Sequence, residues 1–135
     1  MVESIESALF NFFQNTLELD ICKSEIILNS FDFVSSIEIQ KDNGNKRVYF
    51  LFTKELLDKV SKIFMCETNP TVEILNDLIC EISNLVVGSA KVIASNSNIN
   101  YNISTPTLEQ SIDLYDFEML KNYQSSNEIF AILIK

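Results

Sequence analysis

Carboxylates, carboxamides and hydroxyls are the groups through which this chain could do chemistry. Histidine is absent from its 135 residues, which removes Ser-His-Asp and Cys-His nucleophilic schemes and imidazole metal sites together. None of Cys22, Cys66 and Cys80 is followed six positions later by an arginine, and Arg47 is the sole arginine, so a Cys-x5-Arg phosphatase loop is missing. Gly44 and Gly88 are the only glycines, too few for a glycine-rich loop that cradles phosphate.

Four residues have a spacing that could put such groups to use. Asp77, Glu81, Asn84 and Gly88 stand four, three and four apart, which on a helix places them in one stripe. The surrounding sequence predicts a helix from about Val72 to Ser95, capped by Thr71 after the turn at Glu67-Thr68-Asn69-Pro70. At about 100° per residue, Leu75, Leu78, Ile82, Leu85, Ser89 and Ile93 form its expected core face, and the stripe falls within an arc of about 60° well round from it. A glycine inside a helix costs about 1 kcal/mol relative to alanine. Gly88 therefore calls for a close approach, either by a neighbouring element of the same domain or by a partner. The Glu-x-x-Asn spacing taken alone is weak, because Glu73 and Asn76 share it and a solvated helix face accounts for such pairs.

The elements that must hold this helix are legible in outline. Ile5, Leu9, Phe12, Phe13 and Leu17 recur at helical spacing over residues 4–17. Glu25–Leu28 reads as a short strand, and Phe33–Gln40 and Lys46–Phe52 as two more. Asn43-Gly44 between them supplies two residues tolerant of positive φ, a hairpin signal. Thr53 caps a helix to about Met65 with Leu56, Leu57, Val60 and Phe64 inward. Asn96–Asn102 combines a turn with the start of a strand through Ile103, and Thr105-Pro106 breaks the chain. Phe117, Met119 and Tyr123 fit a strand, although residues 111–123 fit a short helix equally well, and Ile129–Ile134 suits a buried strand. The sum is one domain over residues 1–135 of the α/β two-layer (α+β) class: a mixed, largely antiparallel sheet with helices packed on it.

Composition narrows the partners. A net charge of −9 repels nucleic acid and anionic lipid, so neither is expected as a partner. No run of about 18 to 20 consecutive apolar residues indicates a membrane span. The N-terminus is acidic where a signal peptide is basic, so a cytoplasmic protein is expected. The odd number of cysteines, without CxxC spacing, indicates neither a disulfide frame nor a zinc site and reads as buried, reduced thiols.

The stretch Asp77-Leu-Ile-Cys-Glu81-Ile-Ser-Asn84-Leu-Val-Val-Gly88-Ser-Ala90 resembles the active helix of the CheC/CheX/FliY chemotaxis phosphatases: Asp, three residues, Glu, two, Asn, three, Gly, then small residues. The order of elements over residues 4–135 is similar too, with Ile103-Ser104-Thr105-Pro106 where that family ends a strand near a Thr-Pro. The sequence departs from the family at Thr107-Leu108-Glu109-Gln110, where a glycine is common. One complete motif in a short chain looks like CheX. The resemblance implies a homodimer that hydrolyses the phospho-aspartate of a CheY-type response regulator. Asn84 would orient the attacking water and Glu81 would pair with the regulator's lysine. Asp77 would help recognition, and Gly88, with Ser89 and Ala90 nearby, would keep the contact flat. No cofactor of its own is implied, since Mg²⁺ is expected on the regulator. The same helix could instead serve a non-catalytic adaptor for a response regulator or flagellar switch component, or be the ordinary solvated face of a dimerisation module.

Overall fold

In the computed structural model, which describes residues 1–135, the chain begins with α1 (Val2–Asn11) and a π-helical turn (Phe12–Thr16). Then follow β1 (Cys22–Lys23), β2 (Phe33–Lys41), β3 (Gly44–Phe52), α2 (Lys54–Phe64), α3 (Val72–Ser95), β4 (Asn102–Ile103), β5 (Thr107–Glu109), β6 (Met119–Ser125) and β7 (Glu128–Ile134). The strands form one sheet in the order β1-β6-β7-β3-β2-β4, with β5 also paired to β2. Every pairing is antiparallel, and the helices cover one face in the two-layer arrangement expected.

Alternation along the strands decides which face is covered. Ile37 and Ile39 of β2, Val48, Phe50 and Phe52 of β3, and Phe130, Ile132 and Ile134 of β7 join the main core with residues of all three helices. Phe13 stacks on Phe130 at 4.9 Å, binding the N-terminal segment to the sheet. The opposite face carries Val34, Leu51, Ala131 and Leu133, partly roofed by Phe31, Ile112 and Leu114.

The β2–β3 hairpin forms where Asn43-Gly44 signalled it, but Lys41 pairs with Gly44 across a two-residue turn, and only Gly44, at φ 125°, takes positive φ. The β6–β7 turn is where two consecutive side-chain-bearing residues do so: Ser126 and Asn127 at 50° and 66°, the φ pattern that matches strand twist in tight hairpins. Glu25–Leu28 is not a strand. Ser24 N–H closes the pairing on Asn122 O, the Ser24 hydroxyl turns the chain by accepting from Ile26 N–H at 3.0 Å, and Ile26 and Ile27 are exposed. An apolar run with no sheet surface to pack on has no reason to extend. Residues 111–118 are neither helix nor strand, so β6 begins at Met119 and leaves Phe117 outside it. Cys22 and Cys66 are exposed and Cys80 half-buried, all free, which corrects the expectation of buried thiols. Cys22 sits in a two-residue edge strand, and Cys66 follows α2 at a positive φ of 56°.

Candidate functional site

Two side-chain caps fix where the helices start. Thr53 accepts from Leu56 N–H at 3.3 Å and Thr71 from Ile74 N–H at 3.2 Å, each satisfying an otherwise unpaired first-turn donor. On α2, Leu56, Leu57 and Val60 are fully buried. Phe64 lies at the rim, 37% exposed, its ring 5.7 Å from that of Phe12.

On α3 the buried residues are Leu75, Leu78, Ile79, Ile82, Ser83, Val86, Val87, Ala90 and Ala94. The expected core face is therefore turned by about 70° at 100° per residue. Ser89 is exposed, while Leu85 and Ile93 are only half-buried, since they face the groove towards the N-terminal segment rather than the sheet. Ala90 is fully buried, so it belongs to the core and not to any contact surface.

This rotation places the four motif residues opposite the core. The middle of the buried arc and the middle of the Asp77/Glu81/Asn84/Gly88 stripe lie about 180° apart on the wheel. Asp77, Glu81 and Asn84 are exposed and Gly88 half-buried. The stripe rides the outer crest of the helix layer, pointing away from the sheet, and five clefts elsewhere on the surface are lined by none of its members. The weaker pair is split: Glu73, four residues before Asp77, is exposed at the edge of the stripe, whereas Asn76 is half-buried, turned about 60° further round towards the core.

The stripe is unspent within the chain. Asp77 and Glu81 join none of the seven ion pairs, and the side-chain hydrogen bonds of α3 belong to Thr71 at its cap, Ser83, Ser95 and the incoming Ser35. A Cβ placed on Gly88 would meet nothing within 4 Å. Packing within the domain therefore does not account for that glycine. Cys80, beside the stripe, offers no thiolate: burial, reinforced by the Asp77 carboxylate, pushes its pKa up, which keeps it protonated.

Chemically, a crest with two carboxylates, one carboxamide and a smooth gap cannot enclose a small molecule. It can enter a pocket that another molecule provides. α3 spans 24 residues, and its most apolar stretch has a mean hydropathy of 1.5, enough by length and composition to cross a membrane. Here its apolar face forms the core of the domain.

The family model described as chemotaxis phosphatase CheX matches residues 33–126, which include α3 and its stripe. None of the curated proteins matches the chain. Among solved structures, the chemotaxis protein CheX from Vibrio vulnificus is similar with a TM-score of 0.86 at 20% identity, covering 98% of this chain and 93% of that one. A chemotactic CheC-like protein from Shewanella oneidensis MR-1 gives 0.78 at 20% identity, covering 98% and 95%. A CheX-CheY-BeF3-Mg²⁺ complex from Borrelia burgdorferi gives 0.74 at 11% identity, again covering 98% and 95%.

Proposed function

The chain belongs to the chemotaxis phosphatase CheX family, and from that premise we propose that it hydrolyses the phospho-aspartate of a CheY-type response regulator, with Asn84 and Glu81 as the working residues. The observation that carries this reading is the unpartnered crest of α3: Glu81 and Asn84 exposed opposite the core, beside a glycine that nothing in the chain fills.

An aspartyl phosphate is an activated acyl phosphate. Its hydrolysis needs a water held in line with the scissile bond, because phosphoryl transfer depends chiefly on positioning and charge compensation. The water oxygen forms the new P–O bond, the aspartyl carboxylate leaves with the electrons of the old one, and inorganic phosphate is released. The Asn84 carboxamide suits the positioning role because its oxygen accepts a hydrogen bond while its nitrogen donates. The Glu81 carboxylate, free of any internal cation, pairs with the regulator's active-site lysine in a charge-assisted contact that sets the depth of insertion. Asp77 lies further up the stripe as a rim contact, and Gly88 lets the partner's surface lie close. The charge compensation comes from Mg²⁺ held by the regulator, so this chain supplies no metal site and no nucleophile.

The same reading makes the protein a cytoplasmic homodimer, as the family resemblance implies. An apolar surface that includes Ile27, Tyr115 and Phe117 lies on the sheet side away from α3, so self-association there leaves the crest free. The test is to follow the decay of a phosphorylated CheY-type regulator with and without the protein. Acceleration that rises with protein concentration supports the phosphatase. Binding without acceleration moves the assignment to an adaptor.

A further inference from the structure

The crest is too small to account for a specific complex by itself. From Asp77 to Gly88 it runs about 16 Å along the helix and is one side chain wide, whereas a specific interface takes about 800 Å² from each partner. Contact must spread sideways, and binding energy concentrates where an apolar side chain fills a desolvated pocket.

The two flanks of the stripe differ in where they offer such a pocket. Towards Cys80 and Lys91 the cleft that α3 lines sits near its N-terminus, at Val72 and Asn76, well short of Asn84. On the other side, Leu85 and Ser89, each one residue beyond a stripe member, form one wall of a cleft of about 380 Å³. Phe12 and Phe64 face them, Ala8 contributes to the lining, and Asn11, Asn15 and Thr16 supply polar groups. The residues on either side of Phe64, Ile63 and Met65, are exposed at 42% and 46%.

The local chain geometry provides this opening. Phe12–Thr16 is wound as a π-helix, with Leu17 N–H donating to Phe12 O at 3.0 Å; such wide turns are rare and concentrate at functional sites. On the stripe side, the gap at Gly88 and the small Ser89 leave the wall low, so a body lying along the crest can reach over it.

We propose that this cleft is the anchor pocket for the response regulator: an apolar side chain of the regulator, Leu-, Ile-, Met- or Phe-like, seats between Phe12, Phe64 and Leu85 while Asn84 and Glu81 occupy the regulator's active site. The assignment rests on the phosphatase reading and adds the residues that set affinity and partner choice. It separates binding from chemistry along one helix.

The experiment measures dephosphorylation of the regulator at varied concentration with wild type, Ser89→Trp, which fills the cleft from an exposed position, and Phe64→Ala, which removes a wall. Thermal melts confirm that each variant is folded. Both variants are expected to raise the half-saturating regulator concentration at least about tenfold, as loss of an interface anchor does, while the rate at saturation stays near wild type. A folded Ser89→Trp protein with the half-saturating concentration of wild type overturns the proposal and leaves the phosphatase standing. A change in oligomeric state without a change in regulator affinity overturns it in favour of a self-contact. A wild type that neither binds nor dephosphorylates the regulator ends the phosphatase reading and the cleft's assignment with it.

Discussion

The Ser35 hydroxyl, fully buried in β2, donates to the main-chain carbonyl of Ile79 in α3 at 3.1 Å. No other side-chain hydrogen bond joins α3 to the sheet. Apolar packing is non-directional and tolerates small rotations of a helix over a sheet, whereas a hydrogen bond to one carbonyl fixes both rotation and height. Ile79 stands two residues before Glu81 and five before Asn84, so the bond holds the turn from which both project. Ser35→Ala should cost about 1 kcal/mol, a fall in melting midpoint of about 4 °C. It should lower the dephosphorylation rate at saturating regulator several-fold while half-saturation moves little, and Ser35→Thr should restore the rate. An unchanged rate in Ser35→Ala would mean that packing alone positions the crest.

Gly88→Ala should move stability and activity in opposite directions. The new Cβ meets nothing within 4 Å, so helix propensity alone acts and stability rises by up to about 1 kcal/mol. Regulator binding should weaken several-fold, because on the proposed reading the methyl group would stand where the partner's surface comes close. A thermal melt beside a titration with the regulator checks both halves, and undiminished binding would remove Gly88 from the contact.

Replacing Glu81 by glutamine keeps the shape and removes the charge. A hydrogen bond to a charged group is worth about 1.5–3 kcal/mol, so Glu81→Gln should raise the half-saturating regulator concentration about tenfold or more. Wild-type affinity should also fall with added salt more steeply than the variant's. Equal salt slopes would place the regulator's lysine elsewhere.

A pH effect on stability follows from Glu6, away from the site. Burial pushes its carboxyl pKa up. Hydrogen bonds from the Tyr123 hydroxyl at 2.9 Å and from Lys23, with the charge of Lys121, outweigh this and hold it below the ordinary value of 4.5. A depressed folded-state pKa stabilises the fold above the unfolded value, and that stabilisation disappears as pH falls through the folded one. Glu6→Gln should therefore be less stable than wild type at pH 7 by about 1 kcal/mol, and the gap should close below about pH 4. Melting curves of both proteins from pH 7 to pH 3 check this.

The sequence disclosed α3 well because three independent signals coincide there: the Thr71 cap, sustained helical periodicity, and a polar stripe ending in glycine. It misplaced the core face because Leu85 and Ile93 are apolar for the sake of a groove with the N-terminal segment, and periodicity cannot distinguish a helix–helix groove from a sheet contact. The run at 25–28 failed as a strand for a related reason, since strand formation depends on a neighbour that composition does not reveal. Ser35 was invisible as a site-supporting residue: a serine within an apolar strand carries no pattern that points to a carbonyl 44 positions away. The cleft was equally hidden, because Phe12, Phe64 and Leu85 lie on three separate segments.

On the proposed reading Asn84 positions the attacking water without carrying the binding energy. Asn84→Ala should bind a CheY-type regulator, held in its active form by beryllofluoride, within about threefold of wild-type affinity. Under single-turnover conditions at saturation, it should lose about a hundredfold or more of the acceleration of phosphate release. A folded Asn84→Ala protein that still accelerates release as the wild type does would contradict the account.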